Sequence, residues 1–323
     1  MLNKLFFIFI LLLLNNPLFS SDILTHYRIN GIDNVEKQMD LDLTKEDYWK
    51  NYLQDKVTSF GYIESYSNIL TCNKSKSILT LYMKNKDQTF RVQKIYSAYT
   101  GKIKGDKHRE GDLKTPIGIY NITKKISKVD SFYGPMAFVT SYPNVYDIYQ
   151  GKNGSGIWIH GLPTEQERDE FTKGCIAINN KSIECLDRNI NIDETLLIIN
   201  KEKIIQNISK ESLSIVLSQL YAWRYSWLYN DIEAYLSFYS NDFRRFDHMN
   251  MDRFTKYKTR IFKKQEKKTI IFNDINVIPY PNLTDTYRVS FKEIYKSNSF
   301  SFIGNKILIL KLKNNKIKIL TEK

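Results

Sequence analysis

The sequence is short of cysteine and histidine. Its 323 residues hold three Cys and four His, with no CxxC and no HxxxH pair, a pattern that argues against a zinc centre. No cofactor is expected. Cys72, Cys175 and Cys185 are too few, and odd in number, to form a disulfide framework. If one of them is a reduced nucleophile, the other two are either paired or free and buried, and free and buried is the expectation. After residue 20 no run is long and apolar enough to cross a bilayer. Acidic residues are outnumbered too, 35 against 48 basic, for a net charge of +13. Such an excess attracts polyanions. The lysines are scattered along the chain, so no nucleic-acid partner is expected. An anionic wall or membrane surface fits better, and a merely solvated basic surface is the plain alternative.

The N-terminus supplies the one long apolar run. Lys4 is the single charge of the first twenty residues, residues 5–14 contain no polar side chain, and Asn15-Asn16-Pro17 ends the run ahead of Ser20. This is the pattern of a signal peptide over 1–20, cut after the small Ser20, with an uncleaved anchor as the rival reading. No Cys stands at the junction, which argues against a lipid anchor. The mature chain is therefore expected to be exported.

Chemistry concentrates in residues 157–179, IWIHGLPTEQERDEFTKGCIAIN. Ile157-Trp158-Ile159 reads as a buried strand ending on His160-Gly161, and Ile176-Ala177-Ile178 as a second one entered through Lys173-Gly174-Cys175. A charged connection broken by Pro163 can fold the two ends together. The result is an imidazole and a thiol at neighbouring strand ends. A cysteine nucleophile needs that pair, because a thiol is mostly protonated at neutral pH and a nearby His activates it. Gly174 leaves room for substrate beside the sulfur, and the amides of Gly174 and Cys175 are candidate oxyanion donors. Taken singly, a Cys between Gly and Ile is more often a small buried hydrophobe, and a His at a strand end a structural hydrogen-bonder. Taken together, in this order and with the block below, the catalytic reading prevails.

His160-Gly161 and Thr172-Lys173-Gly174-Cys175 resemble the signature of the L,D-transpeptidase (YkuD-type) catalytic domain: a His, a spacer, Ser/Thr-His-Gly-Cys and an Arg two positions on. Residues 111–120, GDLKTPIGIY, resemble the family's upstream Thr-Pro-x-Gly-x-Tyr/Phe segment. Lys173 stands where the family usually has His, and Ala177 where it usually has Arg. With the short spacer, both departures resemble the cell-shape-determining L,D-carboxypeptidases of helical and curved Gram-negative bacteria. The resemblance implies a periplasmic enzyme whose substrate is the peptidoglycan stem peptide, cut between the L-centre of meso-diaminopimelate and the following D-alanine. It makes Cys175 the nucleophile, His160 the base and then acid, and the Gly161 carbonyl the group that orients the imidazole. Thr172, Lys173, Gly174 and Tyr133 are the candidate oxyanion and substrate-binding residues. Loss of the usual His and Arg reshapes the acceptor side, so water is expected to take the acyl group and leave tripeptides. A transpeptidase forming cross-links is the first alternative, and a non-catalytic wall-binding protein the second.

The expected fold class is α+β. Residues 21–75 show helical spacing at 35–39 and 45–60, too little to fold alone, and are expected to pack on the catalytic domain or on a second copy of the chain. The resemblance implies a dimerisation role for them. From Ser77, β-branched and aromatic residues alternate, and glycines then punctuate the chain. A mainly β catalytic domain over 76–200 follows, helical only after Pro163 and at 182–188, with a closing strand at 194–199. Past residue 200, Leu213, Val216, Leu217, Leu220 and Trp227 recur at helical spacing, and residues 222–239 resemble the opening helices of NTF2-like domains. A basic helix over 251–268 and strands over 269–280, 284–296, 301–312 and 316–320 complete an α+β cone over 205–323, with a pocket at its mouth. Its aromatics (Trp223, Tyr225, Trp227, Tyr229, Tyr235) are core packing in the main, with a sugar or small-ligand pocket accounting for one or two.

Overall fold

The computed structural model describes residues 18–164, 170–202 and 208–323. Residues 1–17 of the expected leader and residues 165–169 of the acidic connection after Pro163 lie outside the described residues. Helices α1 (Leu18–Asn30) and α2 (Ile32–Asp42) are separated by Gly31 at φ 77°, a left-handed value glycine takes without strain. Helix α3 (Glu46–Leu53) buries Trp49 and Leu53, one turn apart, on a single face. The strands β1 (Tyr62–Ile63), β2 (Asn68–Asn73), β3 (Ile78–Lys84), β4 (Phe90–Ser97), β5 (Gly118–Ile126) and β6 (Ala137–Thr140) follow. Helix α4 (Val145–Tyr149), strands β7 (Trp158–His160) and β8 (Ile176–Ala177), helix α5 (Asn180–Asn189) and strand β9 (Thr195–Asn200) close the first half. The second half runs α6 (Lys210–Leu228), α7 (Ile232–Ser237), α8 (Met251–Phe262), then β10 (Lys268–Pro279), β11 (Thr286–Ser297), β12 (Ser301–Lys313) and β13 (Lys316–Glu322).

Eight strands pair in the order β4-β3-β2-β9-β5-β6-β7-β8, and five in the order β1-β10-β11-β12-β13. In the first sheet β2 runs parallel to β9 and β7 parallel to β8, while the other neighbours are antiparallel. One of its faces packs Leu70, Leu79, Tyr120, Phe138 and Ile159 against Ile183 and Leu186 of α5. The second sheet is purely antiparallel. It shares a core with α6, whose Leu213, Val216, Leu217, Leu220 and Trp223 cluster with Ile270, Phe272 and Val289. A third cluster lies between the sheets, where Ile69, Ile119, Leu196 and Ile198 of the first meet Ile278 and Ile309 of the second and Tyr280 just past β10.

The expectations for residues 21–75 need correcting. Their helical part ends at Leu53, and β2, expected outside the sheet, lies inside it between β3 and β9. Leu70 and Cys72 face one core and Ile69 the other, so no polar alternation marks this strand in the sequence. The helices also pack elsewhere than expected. Trp49 and Leu53 of α3 join the core around α6. Asp40 of α2 pairs with Arg224 at 2.7 Å and accepts from the Tyr229 hydroxyl at 3.0 Å. Strand β1 extends the second sheet through β10. The N-terminal helices and β1 thus complete the C-terminal domain, and the first sheet falls between these two pieces along the chain. The basic helix is shorter than expected, ending at Phe262, because Lys268 already pairs in β10.

Candidate active site

Two short parallel strands position the imidazole and the thiol. Ile159 of β7 stands opposite Ile176 of β8, and His160 opposite Ala177. Side chains alternate between faces along a strand. The two isoleucines therefore turn into the core, where both are fully buried, and His160 and Ala177 share the other face. Cys175 immediately precedes β8.

His160 is buried, and its Nδ1 lies 2.7 Å from the Gly161 carbonyl oxygen. A carbonyl can only accept, so Nδ1 carries the proton and Nε2 is the basic nitrogen. Tyr133 meets the imidazole edge-on, with ring centroids 5.0 Å apart and planes at 87°. It arrives on a 3-10 turn, Ser131–Tyr133, capped by Asp130, whose Oδ1 accepts from the Phe132 amide at 2.9 Å. Gly134 follows at φ 73°, and a Cβ there would lie 2.9 Å from the Gly161 Cα. That close approach brings Tyr133 onto His160. Asn180 Oδ1 accepts from the Leu162 amide at 2.7 Å, fixing the chain beyond Gly161.

The turn before the thiol is organised by the Thr172 hydroxyl. It donates to the Cys175 carbonyl at 2.7 Å and accepts from the Gly174 amide at 3.0 Å. Gly174 has φ 136°, and a Cβ there would lie 2.9 Å from the Lys114 carbonyl oxygen. One expectation is corrected here: the Gly174 amide is engaged by Thr172, so it does not face an oxyanion. The Cys175 amide is the candidate that is left. Lys173 is exposed on the turn. Cys175 Sγ lies 3.4 Å from the Gly156 carbonyl oxygen, to which the thiol donates. Cys72 is fully buried, and burial pushes its thiol up to about 12. Cys185, expected to be buried, is only half-buried on α5, where the Tyr96 hydroxyl reaches its sulfur at 3.9 Å. These two thiols do not pair with each other.

The segment from Tyr99 to Gly118 forms the facing wall. Tyr99 bridges to Ala177 and Gly101 to Thr172, while the buried Thr115 hydroxyl accepts from the Gly101 amide at 2.8 Å. Asp112 ties the loop together. Its carboxylate accepts from the amides of His108 (2.8 Å), Arg109 (3.2 Å) and Lys114 (3.1 Å) and from Lys107 Nζ (2.8 Å). Burial pulls the Asp112 pKa up, but these donors, Lys107 foremost, outweigh it and hold the carboxyl well below the usual range. Beneath the loop, the Lys152 ammonium joins Asp147 at 3.0 Å and Asp106 at 2.5 Å, and Asp106 accepts from the Ile117 amide at 2.7 Å. Asp112, Asn180 and the carbonyls of Lys114 and Gly156 are the residues that sequence reasoning missed. Only Asp112 carries a readable signal, as part of the Gly-Asp-Leu-Lys-Thr-Pro block.

The C-terminal domain has a polar interior of its own. Lys258 of α8 is buried, with its Nζ 4.8 Å from the Trp227 ring centroid and 5.2 Å from that of Tyr235. Burial brings its pKa down to about 8. Glu322 accepts from the Tyr239 hydroxyl at 2.9 Å and pairs with Lys306 at 3.1 Å. Glu293 is buried nearby, and burial pushes its carboxyl up. Trp223 and Tyr235 are core, whereas Tyr225 and Tyr229 pack on each other further out, with centroids 4.5 Å apart.

Residues 67–199 match the family profile of the L,D-transpeptidase catalytic domain, and residues 215–323 that of the Cds6 C-terminal NTF2-like domain. Over 137 residues the chain is 32% identical to YafK of Escherichia coli (strain K12), which carries the name of a putative L,D-transpeptidase. That alignment covers 42% of this chain and 49% of YafK, so the chain spans about half the length of the curated relatives it matches. Among solved structures, the helical cell shape determining protein Pgp2 of Campylobacter jejuni is 39% identical, with a TM-score of 0.79 over 87% of this chain and 99% of that one. Bd1075 of Bdellovibrio bacteriovorus is 26% identical, with a TM-score of 0.64 over 83% and 95%.

Proposed function

The chain belongs to the L,D-transpeptidase catalytic-domain family, in the form that carries a C-terminal NTF2-like domain, and from that premise we propose that it is a periplasmic peptidoglycan L,D-carboxypeptidase. It removes the terminal D-alanine from tetrapeptide stems, leaves tripeptides, and thereby affects cell shape. The observation that carries this reading is the pairing of β7, which ends on His160, with β8, which Cys175 immediately precedes, the imidazole being oriented by the Gly161 carbonyl.

In this reading the Cys175 proton passes to His160 Nε2 and the thiolate sulfur bonds to the carbonyl carbon at the L-centre of meso-diaminopimelate. The oxyanion is met by the Cys175 amide. The C–N bond then breaks, and His160 returns the proton to the departing amine of D-alanine. Water, deprotonated by His160, attacks the thioester, and the released thiolate regains its proton. The Gly161 carbonyl does the orienting that a carboxylate does in a Ser-His-Asp triad. Ala177 offers no guanidinium to hold a second stem, which favours water over an amine as acceptor.

The same reading extends to two partners. The exposed apolar side chains Leu24, Tyr27, Ile29 and Ile32 on α1 and α2 support self-association through the N-terminal helices. The buried Lys258, Trp227 and Glu322 support a sugar or small ligand in the C-terminal cone. Purified protein given tetrapeptide muropeptides should accumulate tripeptides and free D-alanine by mass analysis. New dimers appearing as fast as tripeptides would replace the carboxypeptidase by a transpeptidase, with the roles of Cys175 and His160 unchanged.

A further inference from the structure

The loop that faces the thiol is held from behind, and part of the support comes from the other domain. Tyr280, just past β10, is buried with its ring against Tyr146 of α4, centroids 4.8 Å apart. Its amide donates to the Thr286 carbonyl at 2.7 Å, which ties the turn into β11. Its hydroxyl accepts from Asn144 Nδ2 at 2.9 Å, and the same nitrogen donates to the Ile119 carbonyl of β5 at 3.0 Å. Asn144 is itself pinned, because its Oδ1 caps α4 by accepting from the amides of Tyr146 and Asp147 at 2.8 and 2.9 Å. Asp147 in turn accepts from the Asn144 amide and from the Tyr120 hydroxyl, each at 3.0 Å. The proton transfers described above use none of Tyr280, Asn144 or Asp147.

Strand β5 starts at Gly118, the glycine of the Thr-Pro-x-Gly segment. A Cβ on Gly118 would lie 2.7 Å from the Tyr280 hydroxyl oxygen and 2.6 Å from that of Tyr120. Two tyrosine hydroxyls thus press on this backbone, and only glycine lets them. Ahead of Gly118 there is little slack. Asp106 holds the Ile117 amide, Pro116 has a fixed φ, and the Thr115 hydroxyl holds the Gly101 amide. Gly101 bridges to Thr172, and the Lys114 carbonyl stands where a Gly174 side chain would be. A contiguous run of contacts therefore leads from Tyr280 to the turn that presents the Cys175 amide, the kind of route by which one place in a fold acts on another.

We propose that Tyr280 is a positioning residue for the reaction at Cys175. Through the hydrogen bond it shares with Asn144, the C-terminal domain sets the thiol-facing loop and with it the oxyanion donor. The inference rests on the acyl-transfer reading above and gives the second domain a part in the chemistry on every substrate, a single soluble stem included. An oxyanion donor acts on charge that develops only in the transition state, so displacing it lowers the rate and leaves ground-state binding in place. Alkylation of the thiol by iodoacetamide develops no oxyanion. Turnover and alkylation therefore separate the placement of the amide from that of the thiol.

The test uses the full chain carrying Tyr280→Phe, which removes the hydroxyl and keeps the ring, or Asn144→Ser, which keeps a cap for α4 and loses the amide. On a soluble disaccharide tetrapeptide, kcat for D-alanine release should fall about tenfold in each, with KM within about twofold of the unaltered value. The double variant should lose no more than either single one, since both cut the same route. Alkylation of Cys175, read by peptide mass, should keep its rate and its pH midpoint and go to completion. Backbone hydrogen exchange should quicken at Gly101, Ile117 and Gly174 but not in β12 or β13. An unchanged kcat, a loss matched by a smaller reactive fraction of Cys175, or additive losses in the double variant overturns the proposal. If the unaltered protein releases no D-alanine, the catalytic reading fails. Exchange then decides the positioning by itself: quickening at those three amides upholds it and unchanged exchange overturns it.

Discussion

The two polar centres of this molecule are built from different material. Ten of the thirteen glycines lie from Gly101 to Gly174, and none lies between Gly174 and Gly304. The thiol site is accordingly made by backbones in close approach: Gly134 against Gly161, Gly174 against the Lys114 carbonyl. The interior of the C-terminal domain is made by side chains, Trp227, Tyr235, Tyr239, Lys258 and Glu322. A site made of backbone contacts has no room for an added methyl group. A site made of large side chains can absorb a smaller ring by repacking.

The sharpest break in this comparison is at the thiol. Cys175→Ala should lower D-alanine release by at least ~10³-fold and shift stability by less than ~0.5 kcal/mol, since the thiol is only partly buried. Retained turnover sinks the mechanism. His160→Ala should slow alkylation of Cys175 near neutral pH and move its midpoint toward ~8.5, the value of an ordinary thiol. An unaltered alkylation profile would show that the two side chains do not interact.

Next comes the loop that faces the thiol. Asp112→Asn leaves Lys107 buried without its carboxylate and should cost ~3 kcal/mol, read by urea unfolding. The sign with pH follows from the depressed pKa. The stability from this carboxylate is complete above its unfolded value of ~3.9 and is lost as pH falls toward the lower folded value. The variant should therefore show a flatter acid limb than the unaltered protein, and identical limbs would remove Asp112 from the account.

A matched pair tests the comparison itself. Gly174→Ala, with its left-handed φ and the Lys114 carbonyl in the way, should cost ~2 kcal/mol and most of the turnover. Trp227→Phe in the other centre should cost ~1 kcal/mol and leave turnover on a soluble stem in place. Equal penalties in the two would show that the centres do not differ in kind. The smallest effect belongs to Lys258, whose folded pKa is brought down to about 8. Between that value and its unfolded ~10.4 the unfolded chain holds a proton that the folded one does not, so this residue makes stability rise with pH across that window. Lys258→Met should remove that rise, and a curve of unchanged slope would show that Lys258 does not lose its proton there.

The thiol site was legible because its chemistry is carried by residue types in order along a short stretch. His160 ends β7 opposite Ala177 of β8, and the Thr172 hydroxyl bonds to the Cys175 carbonyl just ahead of β8. What the sequence hid is whatever acts through the main chain. Gly156 and Lys114 contribute carbonyls, which any residue has, and the Gly174 amide is taken by Thr172, a choice only geometry reveals. The C-terminal strands were legible from their length and alternation. β2 was not, being buried on both faces, and neither was the destination of α3. Its apolar face announces that Trp49 and Leu53 must be covered but not by what.

That destination sets an order on events during synthesis. The Thr58 hydroxyl bonds to the Ile208 carbonyl, 150 residues further along, and Trp49 and Leu53 are covered by α6. A chain emerging N-terminus first exposes these side chains for the whole time it takes to make the first sheet, with no partner yet in existence. Such exposed apolar surface is what chaperones bind and what aggregates when they do not. Shortening the chain after β9 would leave it in that state for good: the first sheet would be whole, yet the helices that precede it would have nothing to close against.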